Sequence, residues 1–308
     1  MENKPIISFV SPVFMAQDLI RDLIHEIDKV MHLIDQPYEI ILVDDRSPDL
    51  SWTKMIELSR THDQIKNIRL SKNYGQHAAI FAGLSHAQGE WIVVLDCDLQ
   101  DQPSEVKRLF DKAKEGFDVV LASRSRRKDS YLKKTTSKLF YKLFSYFTGT
   151  HFDSSVANFG IYNKKVIQSI LKFNDNHKFF PLFVQQVGFN TTKISVDHAE
   201  RFGGKSSYSI KKLIKLALLT ILTFSNKPLR LVVQLGSVIS LFSFLFGVYN
   251  IYLALTHQIE IDGYSSLMVS IWFLSGVIIT MIGVLGIYIG KVFDQSKGRP
   301  IYIIDEII

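Results

Sequence analysis

Cysteine is almost absent. Its one occurrence, Cys97, excludes an internal disulfide framework and any zinc cluster built from thiolates, and it fits a reducing compartment. Lysine and arginine are missing from residues 231–290, where the longest apolar runs lie. The average composition over 308 residues, 47% hydrophobic and 21% charged, therefore hides a charged part followed by an apolar part. No leader is expected: "MENKPIISFVSPVF" has one lysine and a short apolar run broken by Pro12, which reads as a first strand.

What is present begins with positive charge. A net charge of +6 and a pI near 9.1 point to an anionic partner: nucleic acid, a membrane surface or a phosphorylated substrate. Nucleic acid is the weakest of these, because the basic residues cluster beside apolar segments instead of on an aromatic-studded sheet.

Short apolar runs at Ile6–Val10, Glu39–Val43, Ile65–Leu70, Trp91–Leu95 and Val119–Ala122 read as strands. Helical spacing separates them, as in Leu19, Leu23, Ile27, Val30 and Ile34. The alternation predicts an α/β domain with a mostly parallel, Rossmann-like sheet, and the unbroken apolarity of "EIILV" and "WIVVL" fits strands covered on both faces. Ligands of such sheets sit at the carboxyl ends of the strands. Both runs end there in aspartates.

Two segments are basic and amphipathic. "YLKKTTSKLFYKLFSYFTGT" spaces Lys134, Lys138 and Lys142 by four, with Leu139, Phe140, Leu143, Phe144 and Phe147 on other faces, so it is either an interfacial helix or an ordinary surface helix. "SSYSIKKLIKLALLTILTF" sets Lys211, Lys212 and Lys215 before an apolar stretch too short to span a bilayer core of roughly 30 Å, and is placed in the interface. "LRLVVQLGSVISLFSFLFGVYNIYLAL" and "SLMVSIWFLSGVIITMIGVLGIYIGKVF" each exceed the roughly 20 residues a spanning helix needs. Their connecting loop carries Glu260 and Asp262 without a lysine or arginine, whereas Lys227, Arg230, Lys291, Lys297 and Arg299 flank the outer ends. The positive-inside rule then puts both flanks and the N-terminal domain in the cytoplasm, at the inner membrane of a cell. The expected organisation is a catalytic domain over 1–204, an interfacial helix over 205–228, two transmembrane helices over 229–291 and a tail over 292–308. A homo-oligomer is compatible with that hairpin.

In "WIVVLDCDLQDQP", side chains two apart on a strand share a face, so Asp96 and Asp98 could reach one hard cation together. Mg2+ and Mn2+ prefer oxygen ligands and are bound by one or two carboxylates plus substrate phosphates. Asp101, followed by Gln102 and Pro103, fits a helix cap instead. A second cluster, "VDDRSPDLSW", puts Asp44 and Asp45 at another strand end, with Ser47 or Asp49 placed to cap the next helix. Cys97 is expected to turn inward as a small core side chain, and His77 to be structural.

Taken in order, "ILVDDRSPD", "LSKNYGQHAAIFAGLSHAQGEWIVVLDCDLQDQP" and "AERFGGKSSYS" resemble the membrane-anchored family 2 glycosyltransferases of GT-A fold, in particular polyprenyl-phosphate glycosyltransferases related to dolichyl-phosphate mannose synthase. The resemblance covers nearly the whole chain. It implies that Asp44, with Asp45 beside it, contacts the nucleotide base. Asn73 and Gly75 would shape the nucleotide pocket, and Asp96, Asp98 and Gln100 would hold Mg2+ or Mn2+ with the diphosphate, Asp98 carrying the metal-assisted catalysis. Arg124 would face the donor phosphates, and Arg201, Lys205 and Ser206 a phosphate near the membrane.

The implied reaction is inverting sugar transfer from a nucleotide sugar to polyprenyl phosphate, such as undecaprenyl phosphate. Such an acceptor has a second pKa of roughly 6 and is already a nucleophile at neutral pH. Little general-base help is then needed, and positioning two anions is the larger problem.

The sequence departs from the family at two places. The first strand ends in Pro12, Val13, Phe14, Met15 and Ala16 where relatives have P-V-Y-N-E. "FDSSVANFGIY" stands where many relatives have an aspartate before G-x-F-R, leaving Asp153 as the candidate base. Two other readings stand beside the first. One is a transferase with a saccharide acceptor in surface polysaccharide synthesis, against which the processive Q-x-x-R-W element is missing, Trp272 being the only tryptophan after Trp91. The other is a non-catalytic membrane subunit that binds a nucleotide sugar, or a small transporter subunit.

Overall fold

The computed structural model describes residues 4–124, 156–175, 178–196, 225, 227–256 and 263–308. These form two compact units, one holding the described residues up to Val196 together with Arg299–Ile308, the other those from Ser225 to Gly298.

The first unit runs β1 (Ile7–Val13), α1 (Ile20–Ile34), β2 (Tyr38–Asp44), α2 (Ser51–Ser59), β3 (Ile65–Leu70), α3 (Gln76–His86), β4 (Trp91–Val94), α4 (Val106–Ala113), β5 (Val119–Arg124), β6 (Val156–Asn163), α5 (Lys164–Leu171), α6 (Phe180–Gln186), β7 (Thr191–Val196) and, from the chain's far end, β8 (Ile304–Ile307). The eight strands make one sheet in the order β7-β5-β6-β4-β1-β2-β3-β8. β4, β1, β2 and β3 are mutually parallel, as are β5 and β7, while β6 runs antiparallel to β4 and β5, and β8 antiparallel to β3. The α/β architecture expected from the sequence is thus present, as a mostly parallel mixed sheet.

Burial explains the parallel centre. All seven residues of β1 are buried, as are the last five of β2 and the last three of β4, so apolar side chains are needed on both faces. α1 covers one face with Ile20, Leu23, Ile24, Ile27, Val30 and Met31, a 3.6-residue stripe. α3 covers the other face at close range. A Cβ at Gly83 would stand 2.5 Å from Val10 Cγ1 and 3.1 Å from Val43 Cγ2, so only glycine lets that helix approach the sheet so nearly.

The second unit contains α7 (Lys227–Leu255) and α8 (Tyr264–Ser296). Lys227–Phe246 and Ser270–Ser296 are long and apolar enough to cross a membrane. Their large side chains stay uncovered, Phe242 at 68% and Trp272 at 77%, where a core helix would hide them. The two helices meet at Gly236, where a Cβ would lie 2.8 Å from Met281 Cε. The amphipathic segments 131–150 and 206–224 and the acidic residues Glu260 and Asp262 lie outside the described residues.

Candidate active site at the carboxyl edge of the sheet

β1 and β2 end side by side at Val13 and Asp44, β4 stops earlier at Val94 opposite Val10, and the loops that follow them gather the polar residues. The aspartate pair after β2 is built into this edge. Asp44 has no exposed surface; its Oδ1 accepts the Ser47 N–H at 2.9 Å, and its Oδ2 lies 3.3 Å from Arg69 Nε. That approach lacks hydrogen-bond geometry, since both atoms remain without a hydrogen-bond partner, so the link is an ion pair. The Arg69 guanidinium also lies over the Trp52 ring, 5.3 Å from its centroid. A base reaching Asp44 would have to displace Ser47 or Arg69.

Asp45, 3% exposed, works as a clamp. Its Oδ1 accepts the Tyr74 N–H at 2.7 Å and its Oδ2 the Gly75 N–H at 2.8 Å, while its own N–H donates to Val13 O at 2.9 Å. Burial pushes its carboxyl upward from the usual range, the two backbone donors pull it down, and the neighbouring Asp44 adds to the rise. Gly75, with φ +93°, opens α3 where no side chain caps the helix. Asn73 is exposed just before it. Sequence reasoning gave Asp45 and Gly75 separate roles. The clamp between them, 30 residues apart, is a tertiary contact with no local signal.

The rest of this loop ties down the end of β1. Ser47 Oγ accepts the Met15 N–H at 3.2 Å, Ser51 Oγ the Ala16 N–H at 3.0 Å, and Asp49 Oδ2 the Gln17 N–H at 3.4 Å. Asp49 Oδ1 also accepts the Ser51 N–H at 3.1 Å, at the first residue of α2, but the N-cap position is Leu50, which has no side-chain cap, so neither Ser47 nor Asp49 is the expected cap. Met15 and Ala16 stand at the positions of the asparagine and glutamate of the family's P-V-Y-N-E pattern; Met15 is exposed at this edge, with Phe14 beside it, and Ala16 is buried.

The D-x-D segment requires a correction. β4 ends at Val94, so Asp96 and Asp98 stand in a turn and the two-residue strand period does not place them. The turn closes through Leu99, at φ 57°, and the Gln100 N–H, which donates to Asp98 Oδ1 at 3.1 Å. Asp96 Oδ1 accepts from Gln76 Nε2 at 2.7 Å, joining the triplet to the first turn of α3. Both carboxylates are partly exposed, as is Gln100. Among the described residues no group of three or more histidines, cysteines, aspartates or glutamates is arranged to hold a metal, so a cation here would draw on the two carboxylates, the Gln100 amide and its substrate. These are hard oxygen donors, which suit Mg2+ or Mn2+.

Asp101 also differs from expectation. The 3-10 turn Pro103–Glu105 is preceded by Gln102, without a side-chain cap, whereas Asp101 is buried. Burial and, after it, the charge of Asp101 push the Tyr162 phenol upward. Cys97 is partly buried against the core, and burial followed by the two flanking aspartates pushes its thiol up to about 12, which keeps it un-ionised. His77 packs edge-on against Phe179 at 4.9 Å between centroids, and burial lowers its pKa to about 4, so its imidazole is neutral at pH 7.

Arg124 ends β5, and its side chain is not described; Asp153, Arg201, Lys205 and Ser206 lie outside the described residues. Of the site residues, Asp45 is hydrogen-bonded to Gly75 and to Tyr74, and Asp96 to Gln76 at the start of the same helix, while Asp44 is ion-paired to Arg69 and Asp98 is bonded within its own turn; the sequence did not single out Tyr74, Gln76 or Arg69.

Residues 8–172 match Glycosyl transferase family 2. Over 305 residues the chain is 36% identical to the undecaprenyl-phosphate 4-deoxy-4-formamido-L-arabinose transferase of Salmonella choleraesuis, covering 98% of this chain and 93% of the relative. It is 34% identical to an uncharacterized glycosyltransferase, sll0501, of Synechocystis, over 98% of this chain and 95% of that one. Among solved structures, mannosyl-3-phosphoglycerate synthase from Rubrobacter xylanophilus superposes with a TM-score of 0.50 at 16% identity, covering 76% of this chain and 75% of that chain. Glucosyl-3-phosphoglycerate synthase from Mycobacterium tuberculosis, in complex with Mn2+, uridine diphosphate and phosphoglyceric acid, does so with a TM-score of 0.50 at 15% identity, over 71% and 77%. These structures share the fold.

Proposed function

Because the chain belongs to glycosyltransferase family 2, we propose that it transfers a sugar, with inversion, from a nucleotide sugar to a polyprenyl phosphate such as undecaprenyl phosphate. The observation that carries this reading is the near full-length match, helix pair included, to a relative named for an undecaprenyl-phosphate acceptor.

The chemistry is a single displacement. A phosphate oxygen of the acceptor attacks the anomeric carbon, the bond from that carbon to the donor diphosphate breaks, and the nucleoside diphosphate leaves with the electron pair. Mg2+ or Mn2+, held by Asp96, Asp98 and Gln100 together with the diphosphate, would neutralise charge on the leaving group. Asp45 fixes the Tyr74–Gly75 turn and Asp44 the Ser47 turn, so these two carboxylates set the walls between which the nucleotide lies. Asn73, at the exposed tip of one wall, is assigned to the nucleotide pocket. Arg124, Arg201, Lys205 and Ser206 are assigned to the phosphates of donor and acceptor, and Asp153 to a base where one is needed.

The membrane reading is supported by connectivity. β8 follows α8 yet pairs with β3 in the same sheet as the strands that precede α7, so the chain returns to the side it left and crosses an even number of times. With the basic flanks, that side is the cytoplasm and the membrane the inner one. Residues 1–204 are then the catalytic domain, 205–228 an interfacial helix, 229–291 the hairpin, and 292–308 the segment that returns to the sheet.

The test is to incubate membranes containing the protein with undecaprenyl phosphate and a panel of UDP-, GDP- and dTDP-sugars, and to identify any glycolipid by mass. Asp98→Ala should abolish its formation. Full activity of that variant under metal-free conditions would refute the mechanism.

A further inference from the structure

We infer that the C-terminal strand is a positioning element of the donor site, acting through Arg46 and Ser71. The inference rests on the nucleotide-sugar reading above. β8 lies along β3 with Ile307 opposite Ile68 and Glu306 opposite Arg69. Asn67 donates its N–H to Ile308 O at 2.7 Å, and Ile308 returns one to Asn67 O at 2.9 Å.

Three contacts carry this strand's influence to the site. The Ser71 N–H donates to Ile303 O at 2.9 Å, and Ser71 is the first residue of the loop that ends in the clamped Tyr74–Gly75 turn. Ser71 Oγ also lies 3.1 Å from the Tyr74 hydroxyl, so the loop is held at both ends. Arg46, directly after the clamp residue Asp45, is 2.6 Å from the Asp305 carboxylate. Tyr302 places its hydroxyl 3.1 Å from Ser85 Oγ on α3, the helix whose first turn holds Asp96. Residues 302–308 thus touch the loop after β2, the loop after β3 and the helix α3, whose first turn reaches Asp96.

Without β8, β3 would be an edge strand with a row of unpaired backbone groups, and the loops on either side of it would open at lower free energy. Arg46 makes that loosening specific. Its φ of 58° is uncommon for a non-glycine residue, and the Asp305 carboxylate is its ion-pair partner in that conformation. The ion pair is exposed and weak by itself, so it tunes the loop, while the strand pairing supplies most of the hold.

The experiment is steady-state kinetics on the full chain in membranes, with undecaprenyl phosphate and whichever UDP-, GDP- or dTDP-sugar the wild type consumes. Asp305→Arg should raise the donor KM about three- to fivefold, with kcat and the acceptor KM unchanged. The charge-swapped pair Arg46→Asp with Asp305→Arg should bring the donor KM back to within about twofold of wild type. Deleting residues 299–308 should raise the donor KM about tenfold or more. An equal change in both KM values overturns the inference, as does a lower yield of folded enzyme with the donor KM unmoved. Should wild-type membranes turn over no nucleotide sugar of the panel, the functional reading falls and takes the inference with it. Turnover with an unmoved donor KM in both Asp305→Arg and the deletion overturns the inference alone.

Discussion

Gly83→Ala adds one methyl group where α3 rides on the sheet, and the structure decides the sign of its effect. The new Cβ would stand 2.5 Å from Val10 Cγ1 and 3.1 Å from Val43 Cγ2. Carbon atoms rest at about 3.5–4.0 Å, so the overlap with Val10 is about 1 Å. Val10 is fully buried in β1, and as a β-branched residue it has few rotamers to yield into. The helix must therefore rise from the sheet. Alanine favours the helix over glycine by about 1 kcal/mol, while overpacking a core costs about 1–3 kcal/mol, so the clash prevails by up to about 2 kcal/mol. For a unit of this size that lowers Tm by roughly 4–8 °C. The site feels the shift as well, because α3 begins at the Gly75 turn clamped by Asp45 and at Gln76, which holds Asp96. A displacement of about 1 Å can cost about a hundredfold in rate. The assay is thermal unfolding of the detergent-solubilised protein together with its initial transfer rate, for Gly83→Ala, Val10→Ala and the double variant. Removing Val10 Cγ1 should relieve the clash, leaving the double variant more stable than the sum of the single losses by about 1 kcal/mol. A Gly83→Ala protein with a raised Tm and an unchanged rate would refute this packing.

Asp45→Asn keeps the shape of the clamp but turns a donor toward one of the two backbone N–H groups, Tyr74 or Gly75; the donor KM should rise about tenfold while the protein stays folded, as measured by kinetics beside circular dichroism. The carboxyl of Asp45 is raised in the fold, so the folded state holds its proton to higher pH than the unfolded one. Its ionisation therefore removes stability as pH climbs through that window, and Asp45→Asn should flatten the corresponding slope of Tm against pH. His77 has the opposite sign. Its folded pKa near 4 lies below the unfolded value of about 6.5, so stability present above pH 6.5 drains away as pH falls toward 4, and His77→Phe should abolish that part of the acid slope. A Tm profile of His77→Phe that parallels wild type between pH 6.5 and 4 would show that the imidazole is solvated.

The central strands and the first helix were legible because each carries its own pattern. "EIILV" and "WIVVL" are continuous apolar runs, and α1 repeats its apolar residues at helical spacing, so local chemistry and final burial agree. β6, β7 and β8 carry no such pattern. β7 alternates between exposed and half-exposed residues at the sheet's edge, and β8 is four residues with two charges, stable as a strand because β3 offers it partners. The aspartates were found by type and order, yet their geometry was misplaced, because where a strand ends depends on the neighbours that pair with it. Asp96 and Asp98 hang from a turn closed by Leu99 and Gln100.

By itself, then, the sequence determined an α/β domain with acidic loops at the carboxyl ends of β2 and β4, two apolar helices after it, and membership of a glycosyltransferase family. Those follow from residue type and near-neighbour spacing, which the chain carries wherever it is. Tertiary structure alone decided that Asp44 is buried against Ser47 and Arg69, that Asp45 grips a turn 30 residues away, and that the last residues of the chain complete the sheet beside that turn. Those are pairings between distant segments, and a backbone donor or a sheet edge has no signature until the fold leaves it in need of a partner.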